Sequence, residues 1–265
     1  MAQTFDRRSL LTLLAGAPWL AMPGWASAAQ SRRVVGLIEQ AKALPNISRR
    51  IEAISRALIG TRYAAHTLIG GPRRDEVFVV REDAFDCVTY NEFVLAAAMA
   101  RDLPGFETAL RNIRYRNGEV AWRERNHYYA DWSRNNIENG VCRAVELGET
   151  VKLDKSSNSE PGLGRRSWTL DVTPQAVLLA NAAKLLAGDI VGFVSRRANL
   201  DYFHTGFVAF GNKDELLLRH ASSAHHRVVN EPMRRFIAIN GVKYVTVLRP
   251  QEVAVTQRAT SAVPV

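Results

Sequence analysis

The stretch Asp83-Ala84-Phe85-Asp86-Cys87-Val88-Thr89-Tyr90-Asn91-Glu92-Phe93-Val94-Leu95-Ala96-Ala97-Ala98-Met99-Ala100 decides how the chain is read. It is a short entry segment followed by an apolar helix. Asp86 is a good N-cap, because its carboxylate can accept hydrogen bonds from the free N–H groups of the first turn. The alanines, with Phe93 and Val94, favour helix and burial. Cys87 then stands at the first helical position, where the positive end of the helix dipole favours a thiolate. A cysteine at the mouth of a buried helix is placed to be a nucleophile. The rest of the chain is read as the apparatus that positions and activates it.

A cysteine nucleophile needs a base, and two downstream segments supply one. Tyr202-Phe203-His204-Thr205-Gly206-Phe207-Val208-Ala209-Phe210 and Glu215-Leu216-Leu217-Leu218-Arg219-His220-Ala221 read as strands joined by a turn at Gly211-Asn212-Lys213. With Phe210 opposite Asp214, His204 falls opposite His220. Directly opposed residues share one face at about 5 Å between Cβ atoms. Burial and polarity alternate along a strand, so a slip of one residue would separate the rings. A free thiol has a pKa near about 8.5, so an imidazole must take its proton and later deliver it to a leaving amine. His204 is assigned as base and His220 as the group that orients it.

The remaining chain orders itself around this pair. Residues 33–59 read as two helices broken at Leu44-Pro45-Asn46. Glu76–Val80 reads as a strand, Pro104–Ile113 as a short helix, and Arg114–Trp122 as a hairpin around Asn117-Gly118. Residues 123–140, rich in charge and aromatics, are read as lining a pocket or as packing into a satellite core. His127, Tyr128, Trp132 and Asp201 are the candidate substrate contacts. Residues 154–167 are polar and rich in Gly, Pro and Ser, which predicts an exposed mobile loop. Thr173–Leu186 reads as a helix with Thr173 as cap and Pro174 at its first position. Strands follow at Gly188–Val194 and Val242–Leu248, with a short helix at Glu231–Ile239. The order predicts a single α+β domain over residues 29–250, helices first and an antiparallel sheet second. Residues 251–265 are read as a disordered tail.

The N-terminus carries its own message. Paired Arg7-Arg8, an apolar run from Leu10 to Leu20 and Ala26-Ser27-Ala28 form the three parts of a secretory signal. The arginine pair fits twin-arginine export, with the general route as the alternative. Residues 1–28 are therefore set aside as a signal peptide, and the protein is expected in the periplasm or cell envelope. The apolar run is too short for a comfortable membrane span, so no stable membrane insertion is expected after cleavage. The chain's net charge of +9 favours polyanionic partners such as cell-wall carboxylates. No basic run is interleaved with aromatics, which sets nucleic acid aside. Cys87 and Cys142 are the only cysteines. An exported chain with two cysteines invites a disulfide, but the helix-entry setting of Cys87 favours a reactive thiol. No cofactor is expected. The His-Glu-x-x-His and His-x-His clusters of a zinc amidase are missing, so no metal is expected.

Gly60-Thr61-Arg62-Tyr63, Asp86-Cys87, Gly188-Asp189-Ile190, His204-Thr205-Gly206-Phe207-Val208 and His220-Ala221 together resemble the NlpC-like cell-wall cysteine peptidases. More closely, Phe85 to Glu92, Asn126 to Trp132 and His220-Ala221-Ser222-Ser223 resemble their N-acetylmuramoyl-L-alanine amidase-like branch. The resemblance covers about residues 50–249. It implies a compact papain-like fold, with the cysteine helix and its neighbours packed on an antiparallel sheet. It implies Cys87 as nucleophile, His204 as base and His220 as third member. It further implies the Tyr63 hydroxyl as an oxyanion donor beside the Cys87 N–H. Arg62 stands where many relatives carry proline. The implied substrate is peptidoglycan or a muropeptide, cut between muramic acid and L-alanine. Cleavage between D-glutamate and a diamino acid is one alternative, and a non-catalytic wall-binding module is another. Permuted lipid-modifying relatives run histidine before cysteine, opposite to this chain.

Overall fold

The computed structural model describes residues 24–252. Nearly all of the signal segment and residues 253–265 of the tail lie outside them. Two helices lead the chain, α1 (Gly24–Ala41) and α2 (Ile47–Ala57). Asn46 caps α2 by accepting from the Arg49 N–H, so the break falls where the Pro-Asn pair puts it. Four short strands follow: β1 (Arg62–Tyr63), β2 (Ile69–Gly71), β3 (Arg74–Val77) and β4 (Ala84–Phe85). Then come α3 (Cys87–Met99), α4 (Leu103–Arg114) and α5 (Tyr129–Glu138), and after them β5 (Cys142–Ala144), β6 (Val151–Ser157), β7 (Arg166–Pro174) and α6 (Gln175–Ala180). The last third holds β8 (Ile190–Val194), β9 (Tyr202–Phe210), β10 (Leu216–Ser222), β11 (Arg227–Pro232), α7 (Met233–Ile239) and β12 (Tyr244–Pro250).

Ten of these strands form one large curled sheet in the order β4-β1-β11-β10-β9-β8-β12-β7-β6, with β5 on β12. The sheet is mixed rather than antiparallel, because β4 lies parallel to β1. The fold is therefore mixed α+β, as expected in class.

Every residue of α3 from Thr89 to Ala98 is buried. A helix apolar on all sides must be covered on all sides. Here α1, α2 and α4 cover it from one direction, and β9 and β10 from the other. Phe93 packs on Phe85 and Phe106, and Tyr90 meets Phe207 edge-on across the sheet. Alternation along β9 divides the core in two. Phe207 joins the α3 side, while Val208 joins Phe193, Leu218, Met233 and Phe236 beneath α7. Each such side chain contributes roughly 1.5–3 kcal/mol when fully buried.

Several segments depart from expectation for local reasons. Residues 154–167 are no loop for most of their length. β6 and β7 pair continuously from Val151↔Val172 to Ser157↔Arg166, and only the Gly/Pro-rich tip between them is irregular. Thr173 and Pro174 belong to β7 because they pair with Val245 and Tyr244; the helix after them is six residues long. Asn117 and Gly118 do take left-handed backbone (φ 56° and 71°). Their flanks wind into 3₁₀ turns, however, and only Tyr115↔Arg125 bridges. β3 starts and ends earlier than Glu76–Val80, and β11 was not anticipated.

Glu82, just before β4, is 3 % exposed. Burial pushes its carboxyl up from 4.5 to about 7, against the opposing pull of the Val34 N–H and the Arg33 guanidinium. The folded state therefore holds a proton that the unfolded chain releases between pH 4.5 and 7. This group's contribution is most favourable below that window and is lost as pH rises through it. Glu82→Gln stays neutral, so it should match the unsubstituted chain at pH 4 and exceed it by about 3 kcal/mol at pH 8. Denaturant unfolding at the two pH values checks this.

Candidate active site

Asp86 caps α3 as expected. Its carboxylate accepts from the N–H groups of Val88 (3.0 Å) and Thr89 (2.8 Å). The Thr89 hydroxyl accepts in return from the Asp86 N–H at 3.0 Å, which completes a capping box. The first turn, and Cys87 with it, is thereby fixed. Both cysteines are free: Cys87 is half-buried and Cys142 buried. The dipole alone does not produce a thiolate here. Burial, and then the neighbouring Asp86 carboxylate, push the Cys87 thiol up to about 12, while the N–H groups of Thr205, Cys87 and Val88 pull the other way. At rest Cys87 carries its proton and needs a base to lose it.

The place where α3 meets the sheet is a split between two strands. β9 and β10 pair from Leu216↔Phe210 to Arg219↔Phe207 and no further. Beyond that point β10 stays with β11 through Ser222↔Arg227, while β9 stays with β8. The Val208 N–H donates to Asp189 on the β8 side at 2.7 Å. Odd-numbered residues of β9 therefore aim their N–H at β10. At Thr205 that partner strand has moved away, and the Thr205 N–H, left without β10, pulls the Cys87 thiol pKa down against burial. The Thr205 hydroxyl accepts from Asn91 Nδ2 at 2.9 Å, which pins α3 to β9 one turn below the cysteine. Asn91 was not singled out in the sequence, although a polar residue four after Cys87 in an apolar helix was a usable signal.

His204 directly precedes Thr205. Its Nε2 lies 2.6 Å from His220 Nδ1, with the rings nearly perpendicular at 87°. The register is not the expected one. Leu216, not Asp214, lies across from Phe210. The turn is wider than three residues because Lys213 and Asp214 both take left-handed backbone (φ 54° and 59°), and the Gly211 N–H reaches Glu215. A two-residue offset keeps the side chains on the same face, so the rings still meet, diagonally. Gly206 makes this possible, since a Cβ there would lie 2.8 Å from His220 Cβ. A bulge between Phe193 and Val194 sets the ring of His204 against Phe193 and Phe236 and leaves Phe203 at the surface. Burial, and then His220, lower the His204 imidazolium to about 3. Burial, and then His225, lower His220 to about 4. Both rings are neutral at pH 7, and a neutral imidazole can accept a proton.

Tyr63 is brought to the same place. Burial raises its hydroxyl pKa, and the nearby Cys87 and Asp86 raise it further, so it remains a donor. The other candidates hold structure together. Asp201 accepts from the Ala130 N–H at 2.8 Å and so ties the start of β9 to the first turn of α5. Trp132 is 1 % exposed and stacks on Tyr129 in the core. The Tyr128 hydroxyl accepts from the Glu160 N–H, and its ring meets Trp168. His127 binds the Trp122 carbonyl at 2.7 Å and lies 3.6 Å from Glu160. Among the described residues, no group of three or more His, Cys, Asp or Glu is placed to hold a metal ion. No helix among them is long and apolar enough to cross a membrane.

The sequence model of the AmiA-like family, described as N-acetylmuramoyl-L-alanine amidase-like, matches residues 53–242. The chain belongs to this amidase-like family. The match includes Tyr63, Cys87, His204 and His220. A protein of known structure from Legionella pneumophila superposes on the amidase-like chain with a TM-score of 0.75 at 20% identity, covering 85% of this chain and 95% of its own. That likeness concerns the fold. An N-acetylmuramoyl-L-alanine amidase from Bacteroides uniformis superposes with a TM-score of 0.67 at 25% identity, covering 77% of this chain and 99% of its own. A comparison with curated protein sequences returned no match.

Proposed function

We propose that this amidase-like chain is an exported peptidoglycan hydrolase that cuts the amide between N-acetylmuramic acid and L-alanine through a thioester on Cys87. Family membership and the likeness to the B. uniformis amidase support a hydrolase acting on peptidoglycan. The assignment to the NlpC-like, papain-fold superfamily rests on the motif order, Cys87 before His204 before His220. Export rests on the signal-like residues 1–28, and peptidoglycan lies outside the cytoplasm. What supports the chemistry is the pull of the Thr205 N–H, next to His204, on the Cys87 thiol where β9 and β10 part.

The His204 Nε2 is engaged by His220, so its Nδ1 is the atom left to take the Cys87 proton. The thiolate attacks the lactyl carbonyl carbon. The oxyanion of the tetrahedral intermediate accepts hydrogen bonds from the Cys87 N–H and the Tyr63 hydroxyl. As the C–N bond breaks, His204 returns the proton to the departing L-alanine nitrogen. Water then gives a proton to His204 and its oxygen to the thioester carbon. The lactyl acid leaves, and His204 passes its proton back to the sulfur.

Mass analysis of products from purified peptidoglycan tests the bond assignment. The expected products are peptides that begin with L-alanine, with the lactyl acid retained on the glycan. Peptides that begin with the diamino acid would mean cleavage after D-glutamate and would overturn it.

A further inference from the structure

His220 is 1 % exposed, and its Nε2 makes no hydrogen bond among the described residues. A buried ring nitrogen without a partner is costly if it carries a proton and nothing receives it. Hydrogen-bond logic says that it does carry one. For His204 to take a proton at Nδ1, its own proton must sit on Nε2. That Nε2–H can only be donated to His220 Nδ1, the atom 2.6 Å away. His220 then accepts at Nδ1, and as a neutral ring it must hold its proton at Nε2. The group facing that nitrogen is the Glu231 carboxylate, with Oε2 at 3.4 Å.

Glu231 is well placed for this by the sheet. It lies across from Leu218 on β11, and His220 lies across from Val229. Cross-strand partners share a face, so Glu231 and His220 project to the same side. Its side chain is 16 % exposed, and its one ion-pair partner among the described residues is His220. The other groups around the two rings are Phe193 and Phe236, the partly exposed Phe203, and His225, whose charge acts on His220. Among the described residues, Glu231 is the sole acidic group with an oxygen within 4 Å of a nitrogen of either ring.

We infer that Glu231 is a positioning residue for the proposed reaction: its carboxylate accepts a hydrogen bond from the His220 Nε2–H and thereby sets the tautomer of both imidazoles. It closes a relay from Cys87 through His204 and His220 to a carboxylate, with Glu231 never touching substrate. The inference rests on the reading of Cys87 and His204 as nucleophile and base.

The experiment follows alkylation of Cys87 by iodoacetamide against pH in the full chain, read by peptide mapping so that Cys142 does not contribute. This readout needs no substrate. Glu231→Leu should slow alkylation at pH 7 about tenfold. Glu231→Gln, whose amide oxygen still accepts from Nε2–H, should stay within about threefold. Nitrogen-15 NMR of the histidines in the unsubstituted chain should show His220 protonated at Nε2 and His204 also at Nε2, a readout that depends on no variant folding. His220 protonated at Nδ1, or an alkylation profile for Glu231→Leu matching the unsubstituted chain, would overturn the role of Glu231. If His204→Ala still slows alkylation in that case, the nucleophile–base reading stands without Glu231. If His204→Ala leaves alkylation unchanged, that reading falls as well.

Discussion

Cys87→Ala should lose amide cleavage on the order of 10⁴-fold or more, while the fold and its thermal unfolding stay as they are. The fold survives because Cys87 holds none of the bonds that fix its own helix. Asp86 and Thr89 make the capping box, and Asn91 makes the tie to Thr205. The activity goes because in the proposed mechanism the sulfur is the atom that forms the thioester, and Cys142, buried on β5, cannot replace it. Cys87→Ser should be nearly as inactive, because a hydroxyl is a far weaker nucleophile beside an imidazole whose protonated form is already disfavoured by burial. Release of soluble muropeptides from purified peptidoglycan measures both variants. Turnover by Cys87→Ala within tenfold of the unsubstituted chain would remove the mechanism.

The second large effect is on stability. Arg114→Met should cost about 3–5 kcal/mol and lower the melting temperature by roughly 10 °C. Glu92 and Arg114 are both buried, with Glu92 Oε2 at 2.7 Å from Arg114 Nε, and the guanidinium also donates to the Val79 carbonyl at 2.6 Å. Removing the arginine strands a carboxylate in the middle of α3, packed between α4 and the strands. Removing both charges in Glu92→Leu/Arg114→Met should recover most of the loss, since the penalty belongs to the unpaired ion rather than to the missing attraction. Differential scanning calorimetry separates the two variants. A single variant within 1 kcal/mol of the unsubstituted chain would show that Glu92 finds another partner.

What could be read from the sequence was what local physics decides. An aspartate before an unbroken apolar run predicts a capped, buried helix, and α3 is one. Alternation in Tyr202–Phe210 and Leu216–Ala221 predicts two strands with both histidines on one side, and they share it. The register was off by two because turn width depended on Lys213 and Asp214 adopting left-handed backbone, which neither residue advertises. The β6–β7 hairpin was hidden because the composition of its tip was extended to its arms. The aromatic content of residues 123–140 leaves a pocket lining and a packed core equally open, since it does not distinguish a lining from a filling; Trp132 belongs to the core. The parting of β9 from β10, and the place of Glu231 beside His220, depend on contacts between strands distant in sequence. No window along the chain contains them.

The parting itself carries a trade. Were β10 to remain zipped to β9 for two more residues, the sheet would gain ladder bonds, and the Thr205 amide would bind a carbonyl. That amide would then no longer act on the Cys87 thiol. Stability of the sheet and the proposed turnover therefore pull against each other at this one seam.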